Sequence, residues 1–272
     1  QSARMLHRPE RDQYGVSWNG AGGMPIAHSF MFFLASSQGS VIDIPRKHAN
    51  WLDGLDPNNP QLTLKTDEGI AAIEFMRQLA EVSPPEIRTF DADRNLNCFL
   101  SGHAAMSYAW TMRAALYEYD LSSKVKRRVA YLPPPVRKGH HVTAPVGGFL
   151  LTIPAYVEPR RKREVLNNIA WMASPEAMKA HVKNGFPVAP RFSVCADPEA
   201  LASSPIVSFV DRMARRNELN TWSRPPIPAY IEIESALGLE IYAAVFEGKP
   251  AAQALNNAEN LIHRSLKVRE MV

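Results

Sequence analysis

The sequence predicts an α/β fold in which helices outnumber strands. Apolar residues recur mostly at helical spacing, as in the stretch that begins at Pro159 and continues through Val165, Ile169 and Met172. Stretches that read as strands are few and short, and they alternate with the helices along the chain. This alternation is typical of helices that flank a sheet.

The composition is typical of a globular protein with enough apolar material for a sizeable core. Of the 272 residues, 46% are hydrophobic and 21% are charged. The 31 Lys and Arg residues against 27 Asp and Glu give a net charge of +4. This excess is too mild for the clustered basic face of a nucleic-acid binder, so no nucleic-acid partner is expected. The longest strongly apolar stretch, Phe30–Ala35, is too short to cross a bilayer.

The first half of the chain opens with a short strand-like stretch, Tyr14–Trp18, which a glycine-rich turn over 19–23 interrupts. A helix is predicted to begin at Pro25, because proline suits the first helical position. Thr66 is predicted to cap the next helix. The small, apolar run Ala104–Trp110 reads as a buried strand.

The second half contains two more strand-like runs, Val129–Leu132 and Val146–Ile153. Ser174 and Ser204 are each followed by proline, a combination that predicts a capped helix start at both positions. A long helix and a final helix follow the proline-rich connector that ends at Pro228.

Enzyme and metal-site signatures are absent from the sequence. It has no GxGxxG after a strand, no GxxxxGK[ST] phosphate loop, no GxSxG elbow and no HExxH. Cys98 and Cys195 form no CxxC or Cys/His cluster, so no metal or cofactor is predicted, while one disulfide between them stays open. Glu232 and Glu234 would diverge by about 200° around a helix, so they do not form a converging carboxylate pair.

Four groups of segments, taken in order, carry a family resemblance. The most characteristic is the run Phe99–Met106, which reads F-x-x-G-x-A-A-M and leads toward Trp110. The groups are Tyr14–Ser17 with the helix ending at Gly39; Thr66–Ile70 with Phe99–Met106; Pro133–Pro135 with Gly147–Pro154 and Ala173–Ala177; and Ile227–Tyr230 with Glu247–Leu255. Together they resemble the extracellular solute-binding proteins of ABC importers, the maltose-binding-like or family 1 group. The resemblance extends from about Tyr14 to Ile262.

The resemblance implies a helix-rich periplasmic binding protein-like fold of type II, with one complete lobe plus part of a second. Residues 1–145 would belong mainly to the C-terminal lobe, 146–190 to a returning segment of the N-terminal lobe, and 191–272 to the C-terminal lobe and hinge. Nothing in the sequence matches the signal peptide or the first lobe of the family. The chain is therefore expected to be the C-terminal two thirds of a periplasmic protein.

The function implied by the resemblance is that of the substrate-binding component of an ABC importer. Such a component binds a carbohydrate or polyol by hinge closure of two lobes, without catalysis, and delivers it to the membrane permease. Two alternatives stay open: a carbohydrate-active hydrolase that uses Glu232, Glu234 or Glu240 as its acid, and a relative of the fold that has no transport role.

Three candidate ligand-contact residues come from the family motifs. Trp110 follows the small-residue strand where the family often carries a stacking aromatic residue, and its alternative is a core tryptophan. Gly147 and Gly148 lie where the family brings its backbone close to the ligand, and a strand bulge there is compatible with that role.

Further candidate contacts are Asn19, His28 and Tyr230. Asn19 and His28 flank the turn and helix start expected to face the cleft, although helix capping would explain either residue. Tyr230 precedes the long helix and could instead be a packed hinge residue. Arg224 could meet an anionic ligand, but it is predicted to be a surface residue.

The helix pair within 159–185 is predicted to self-associate. By the resemblance, it would lack the sheet on which it normally packs. Ile169, Trp171 and Met172 would then expose an apolar face, which favours association.

Overall fold

The protein is described by a computed structural model over residues 1–43, 61–136, 139, 141, 144–145, 150–218, 221–222, 224–225 and 227–270. The chain divides into two compact units. The first unit comprises 1–109, 134–145 and 220–272, and the second comprises 110–133 and 146–219.

The unit boundaries differ from the predicted lobe boundaries, which divide the chain into 1–145, 146–190 and 191–272. Residues 110–133 and 191–219 group with the returning segment in the second unit. The assignment of these residues to the two lobes of the family stays a prediction.

Most of the first unit is helical. Its described helices are α1 Ser2–Leu6, α2 Met24–Ser36, α3 Asp67–Ala80, α4 Ala92–Leu100, α11 Tyr230–Phe246 and α12 Ala251–Glu270. Its described strands are short: β1 Ile42–Asp43 pairs antiparallel with β2 Gln61–Leu62, and β3 Ala144–Pro145 pairs parallel with β4 Thr221–Trp222.

All regular secondary structure in the described part of the second unit is helical. Its helices are α5 Ala114–Tyr119, α6 Pro159–Met172, α7 Pro175–Lys183, α8 Phe192–Cys195, α9 Pro198–Ser203 and α10 Pro205–Arg215. The predicted strand Val129–Leu132 is wrong, because these residues form irregular backbone. Of the predicted strand Val146–Ile153, residues 150–153 are also irregular, and 146–149 lie outside the described residues.

The predicted strands Tyr14–Trp18 and Ala104–Trp110 are not regular strands in the structure, but isolated bridges join them. Tyr14 pairs in parallel with Ala104, and Ser17 pairs with Ser107. The Tyr14 amide donates to the His103 carbonyl at 2.7 Å, and the Tyr108 amide donates to the Ser17 carbonyl at 3.1 Å. This pairing joins residues 103–108 to the stretch Tyr14–Ser17.

The predicted helix caps form where the donor and the acceptor are close to each other in the sequence. The Thr66 hydroxyl accepts from the Gly69 amide at 3.2 Å, and the Ser174 hydroxyl accepts from the Ala177 amide at 3.2 Å. The predicted side-chain cap at Ser204 is wrong. Its hydroxyl donates instead to the Pro187 carbonyl at 3.1 Å, so it ties the start of α10 to a distant loop.

The core of the first unit lies between α2, α3, α11 and α12. Trp18 is completely buried, its indole N–H donates to the Ser83 hydroxyl at 3.0 Å, and its ring stacks on Phe246 with centroids 6.1 Å apart. Leu237 and Ile241 on α11 are also fully buried. The strongly apolar helix α2 is also a core element, because most of its residues are buried, with Phe30 and Leu34 completely so.

Long-range polar contacts complete the carboxyl end of α11. The Arg77 guanidinium donates to the Ala244 carbonyl at 2.9 and 2.8 Å and to the Lys249 carbonyl at 2.7 Å. The bonds to Ala244 satisfy a carbonyl group that the end of α11 leaves without an intrahelical partner, and the bond to Lys249 attaches Arg77 to the loop that follows the helix. The Lys249 ammonium also donates to buried Glu240 at 2.6 Å.

The second unit has a smaller core. Its buried cluster consists of Val182, Ala189, Val194, Cys195, Ala200 and Val207. Helix α6 has no buried residue, and its Trp171 is 70% exposed. Leu150 and Tyr156 are each 89% exposed. A large part of this unit's apolar surface is therefore uncovered.

Two further features bear on the sequence predictions. Within the described ranges, no helix is both long and apolar enough to span a membrane. Cys98 and Cys195 are free thiols, so the disulfide that the sequence left open is not formed in this structure.

Candidate functional site

The glycine-rich turn before α2 is packed backbone to backbone in the first unit. A Cβ atom on Gly238 of α11 would lie 2.5 Å from the Gly23 carbonyl oxygen. A Cβ atom on Gly20 would lie 2.4 Å from the Ile87 carbonyl oxygen. No side chain fits at either position, so the turn is held between α11 and the 3₁₀ turn Pro85–Thr89.

A polar cluster lies where α2 meets α11, and it consists of His28, Tyr230, Glu234 and Arg224. The Tyr230 hydroxyl donates to Glu234 Oε1 at 3.0 Å, and His28 Nε2 bonds to the same oxygen. The side chains of His28 and Glu234 are each 14% exposed. The Arg224 guanidinium carbon lies 5.9 Å from the centre of the Tyr230 ring. The structure thus brings two predicted site residues, His28 and Tyr230, into contact.

The electrostatics of this polar cluster favour a neutral imidazole. Burial lowers the pKa of His28 below its usual 6.5 and the Arg224 charge lowers it further, while the Glu234 carboxylate opposes both effects. Burial also raises the pKa of Tyr230, so its hydroxyl stays protonated. The neutral imidazole and the phenol can donate and accept hydrogen bonds, as recognition of a polar uncharged ligand requires.

The other predicted site residues have different surroundings. Asn19 is buried with 5% of its surface exposed, its carbonyl accepts from the Ser29 hydroxyl, and its side-chain Oδ1 has no partner among the described residues. Trp110 belongs to the second unit, where it is half-buried at the start of a 3₁₀ turn. Gly147 and Gly148 lie outside the described residues.

Sequence reasoning missed two members of the polar cluster. The i, i+2 spacing of Glu232 and Glu234 does not predict a shared site. The partner of Glu234 is His28, which lies 206 residues earlier in the chain, so no local pattern shows the contact. Arg224 was predicted to be a surface residue, but it is partly buried beside Tyr230. The aromatic residue at 230 and the histidine at 28 were the only signals that pointed to this place.

The second unit has a surface cavity of its own, of about 660 Å³. Its walls are mostly apolar and include Met112, Leu116 and Phe186, with His181 and Asn184 as polar members. The His181 and Phe186 rings meet edge to face with centroids 6.4 Å apart. An aromatic edge beside polar side chains is a common arrangement in small-molecule sites. No motif in the sequence pointed to this cavity.

Metal chemistry finds no support in the described residues. Among them, no group of three or more His, Cys, Asp and Glu side chains could hold a metal ion. The carboxylate of Glu240, one of the candidate acids, is engaged by Lys249 and is 7% exposed. The chemistry that the polar cluster offers is hydrogen bonding.

A family model described as "Bacterial extracellular solute-binding protein" matches residues 17–208, which is well over half of the chain. The chain belongs to this family. The resemblance drawn from the sequence motifs is therefore confirmed.

Solved structures of other solute-binding proteins share the fold. An ABC transporter solute-binding protein from Agrobacterium radiobacter, in complex with ribitol, is 25% identical with a TM-score of 0.78. The match covers 98% of this chain and 62% of that one. Maltose-bound MalE3 of T. maritima is 22% identical with a TM-score of 0.75, and the match covers 93% of this chain and 61% of that one.

A third structure gives the same result. The protein from Agrobacterium vitis with bound D-mannitol is 18% identical with a TM-score of 0.72, and the match covers 98% of this chain and 64% of that one. The predicted periplasmic binding protein-like fold is confirmed. This solute-binding protein spans about three fifths of the length of these relatives.

Proposed function

We propose that this protein is the substrate-binding component of an ABC importer for a carbohydrate or polyol. The observation that carries the proposal is the family match over 17–208 together with likeness to the ribitol complex, at 25% identity and a TM-score of 0.78. The relatives with bound maltose and D-mannitol support the same solute class.

The proposed contacts in the first unit are Tyr230 and His28, with Asn19 at the adjacent turn. Sugars and polyols need hydrogen-bond partners that both donate and accept, and an aromatic ring that covers their apolar face. The partly buried polar cluster supplies both kinds of group. Asn19 adds a buried Oδ1 without a partner among the described residues, a group that a hydroxyl donor would satisfy.

The proposed contacts in the second unit are Trp110 and the backbone of Gly147 and Gly148. Trp110 offers a large apolar ring with a polar N–H, the combination that suits a sugar face. The two glycines remain a proposal from the family resemblance alone.

The proposed mechanism is closure of two lobes around one solute, followed by docking on the membrane permease from the periplasm. No bond chemistry is included. A hydrolase that uses Glu240 would need a free acid, and this carboxylate is occupied by Lys249 at 2.6 Å. Because the chain spans about 62% of the ribitol-binding relative, we expect the purified chain alone to bind its solute weakly or not at all.

We also propose self-association through the helix pair within 159–185. Support comes from α6, which has no buried residue, and from Leu166 and Trp171, which are 57% and 70% exposed. Apolar surface of this kind favours association because its burial removes it from water.

Uptake measurements test the transport proposal. Disruption of the gene should abolish uptake of labelled ribitol, D-mannitol or maltose, and the intact gene should restore it. A gene carrying Tyr230→Ala should raise the half-saturating solute concentration by about tenfold or more, the effect of losing roughly 1.4 kcal/mol of binding. Tyr156→Ala is the matched control, since Tyr156 is 89% exposed. Unchanged uptake of every sugar and polyol after disruption would contradict the proposal.

A further inference from the structure

One face of α11 lies along the glycine-rich turn and the start of α2. Tyr230, Glu234, Gly238 and Tyr242 follow one another at i+4 spacing, so they share this face. At Gly238 the contact is with the Gly23 backbone, and the Tyr242 ring lies 3.6 Å from the place of a Cβ on Gly22. Backbone packing this close sets the position of α11 against α2. The side chains one and two turns earlier on α11 are thereby placed as well.

Within that frame, Glu234 is the common acceptor. Its Oε1 accepts from the Tyr230 hydroxyl at 3.0 Å and from His28 Nε2, while the hydroxyl and Nε2 are 3.4 Å apart. Hydrogen bonds to a carboxylate are stronger than those between neutral groups. The carboxylate therefore fixes both side chains at the same time.

The carboxylate also determines which imidazole nitrogen carries the proton. An ionised carboxylate can only accept, so His28 Nε2 must donate and the acceptor of the neutral ring is Nδ1. A nitrogen acceptor suits a hydroxyl donor, the group that polyols and sugars present repeatedly. The Tyr230 hydroxyl likewise has its proton directed to Glu234, so its oxygen acts as an acceptor, with the Arg224 guanidinium as one donor.

We infer that Glu234 is a positioning residue for the solute: it holds the His28 ring in the Nε2–H form and orients the Tyr230 hydroxyl. The inference rests on the proposed function, because it assigns a role in solute recognition to a residue that acts through two proposed contacts. It adds a residue that neither the family resemblance nor the relatives assign.

The first experiment needs no solute. Nitrogen-15 NMR of the histidine rings, with the His28 signal assigned by its loss in His28→Gln, reports tautomer and titration. In the unchanged protein the ring should be in the Nε2–H form. In Glu234→Gln this preference should be lost, and the His28 pKa should fall because the carboxylate no longer favours the imidazolium. Glu247→Gln, an exposed position at the end of α11, should change neither property.

The second experiment measures uptake in cells that carry the same variants. Glu234→Gln should raise the half-saturating concentration of the transported solute at least tenfold, and Glu247→Gln should leave it unchanged. Because Glu234 is largely buried, Tyr230→Phe serves as a second variant that keeps the carboxylate. It should retain the Nε2–H form of His28 and weaken uptake affinity less than Glu234→Gln does.

The outcomes separate the inference from the proposed function. An unchanged tautomer and titration of His28 in Glu234→Gln overturns the inference. Altered His28 signals with unchanged uptake affinity also overturn it, because Glu234 would then only join α2 to α11. If gene disruption affects no sugar or polyol uptake, the proposed function fails, and the solute role of Glu234 fails with it.

Discussion

The two units differ in what they do with their apolar side chains. The first unit encloses a large core in which Trp18, Leu237 and Ile241 are fully buried. The second has a small core and leaves Leu150, Tyr156 and much of α6 exposed. Burial contributes about 25 cal/mol per Å² of apolar surface, so the stabilising contacts of the chain are concentrated in the first unit.

The comparison also distinguishes two kinds of candidate site. In the first unit, buried hydrogen bonds fix the polar cluster in one arrangement. In the second, the candidate cavity is open and its polar members are exposed at His181 and Asn184. Preorganised groups contribute more to specific recognition, because little entropy is lost when the ligand binds. The first unit is therefore the better place to seek specificity.

The largest expected effect comes from a matched pair of tryptophans. Trp18→Ala should lower the free energy of unfolding by about 3–5 kcal/mol, since it creates a cavity and removes the partner of Ser83. Trp171→Ala should change it by less than about 0.5 kcal/mol, because its side chain is mostly exposed. Urea unfolding monitored by circular dichroism measures both. Equal losses of unfolding free energy in the two variants would contradict the difference in core packing between the units.

A glycine pair tests the backbone contact between α11 and the turn. Gly238→Ala should destabilise the protein by about 3 kcal/mol, because the new Cβ would overlap the Gly23 carbonyl. Gly22→Ala is the control, since its Cβ would meet the Tyr242 ring at an ordinary 3.6 Å. Thermal unfolding of both variants measures the effect. If Gly238→Ala instead stabilises the protein, as the higher helix propensity of alanine alone would do, the close packing of α11 on the turn is contradicted.

Sequence reasoning succeeded where the interacting groups are close along the chain. The cap at Thr66 needs only the amide three residues later, and the pattern contains both. It failed at Ser204, which has the same Ser-Pro pattern as Ser174, because its hydroxyl meets the Pro187 carbonyl 17 residues away. Local pattern cannot show which of two available partners a side chain will take.

The candidate site shows the same limit at longer range. His28 and Tyr230 were predicted from their places beside the turn and the long helix, but the group that joins them, Glu234, was considered only as a candidate acid and not as their partner. The role of Arg77 at the end of α11 depends on a carbonyl 167 residues away. Likewise, the glycine-rich turn reads as a break in the sequence, whereas the Ile87 backbone leaves no room for a side chain at Gly20, and the Gly23 backbone leaves none at Gly238 of α11.

A third test addresses the exposed face of the second unit. Leu166→Glu on α6 should weaken the proposed self-association at least tenfold, about 1.4 kcal/mol, by placing a charge in an apolar contact. Leu239→Glu is matched in chemistry, since Leu239 is 62% exposed on α11 of the first unit, and should have no effect. Sedimentation equilibrium measures the dissociation constant. A clean monomer at high concentration in the unchanged protein would refute self-association.

The smallest expected effect is a difference between the units in their response to acid. The groups that act on His28 are Arg224, Glu234 and Tyr230, and the net result is a His28 pKa below 6.5. The unfolded chain therefore binds a proton at His28 at higher pH than the folded chain does. Stability from this group is complete above about pH 6.5 and decreases as the pH falls toward the folded pKa.

In the second unit, the Asp197 pKa is lowered from 3.8, first by the hydrogen bond from Lys179 at 2.9 Å. Its contribution is present above about pH 3.8 and is lost only as the pH falls through the lower, folded pKa. Urea midpoints between pH 7.5 and 5 should therefore fall less in His28→Gln than in the unchanged protein, while Asp197→Asn should show the unchanged slope. Parallel pH profiles for all three proteins would mean that mild acid does not act on the polar cluster.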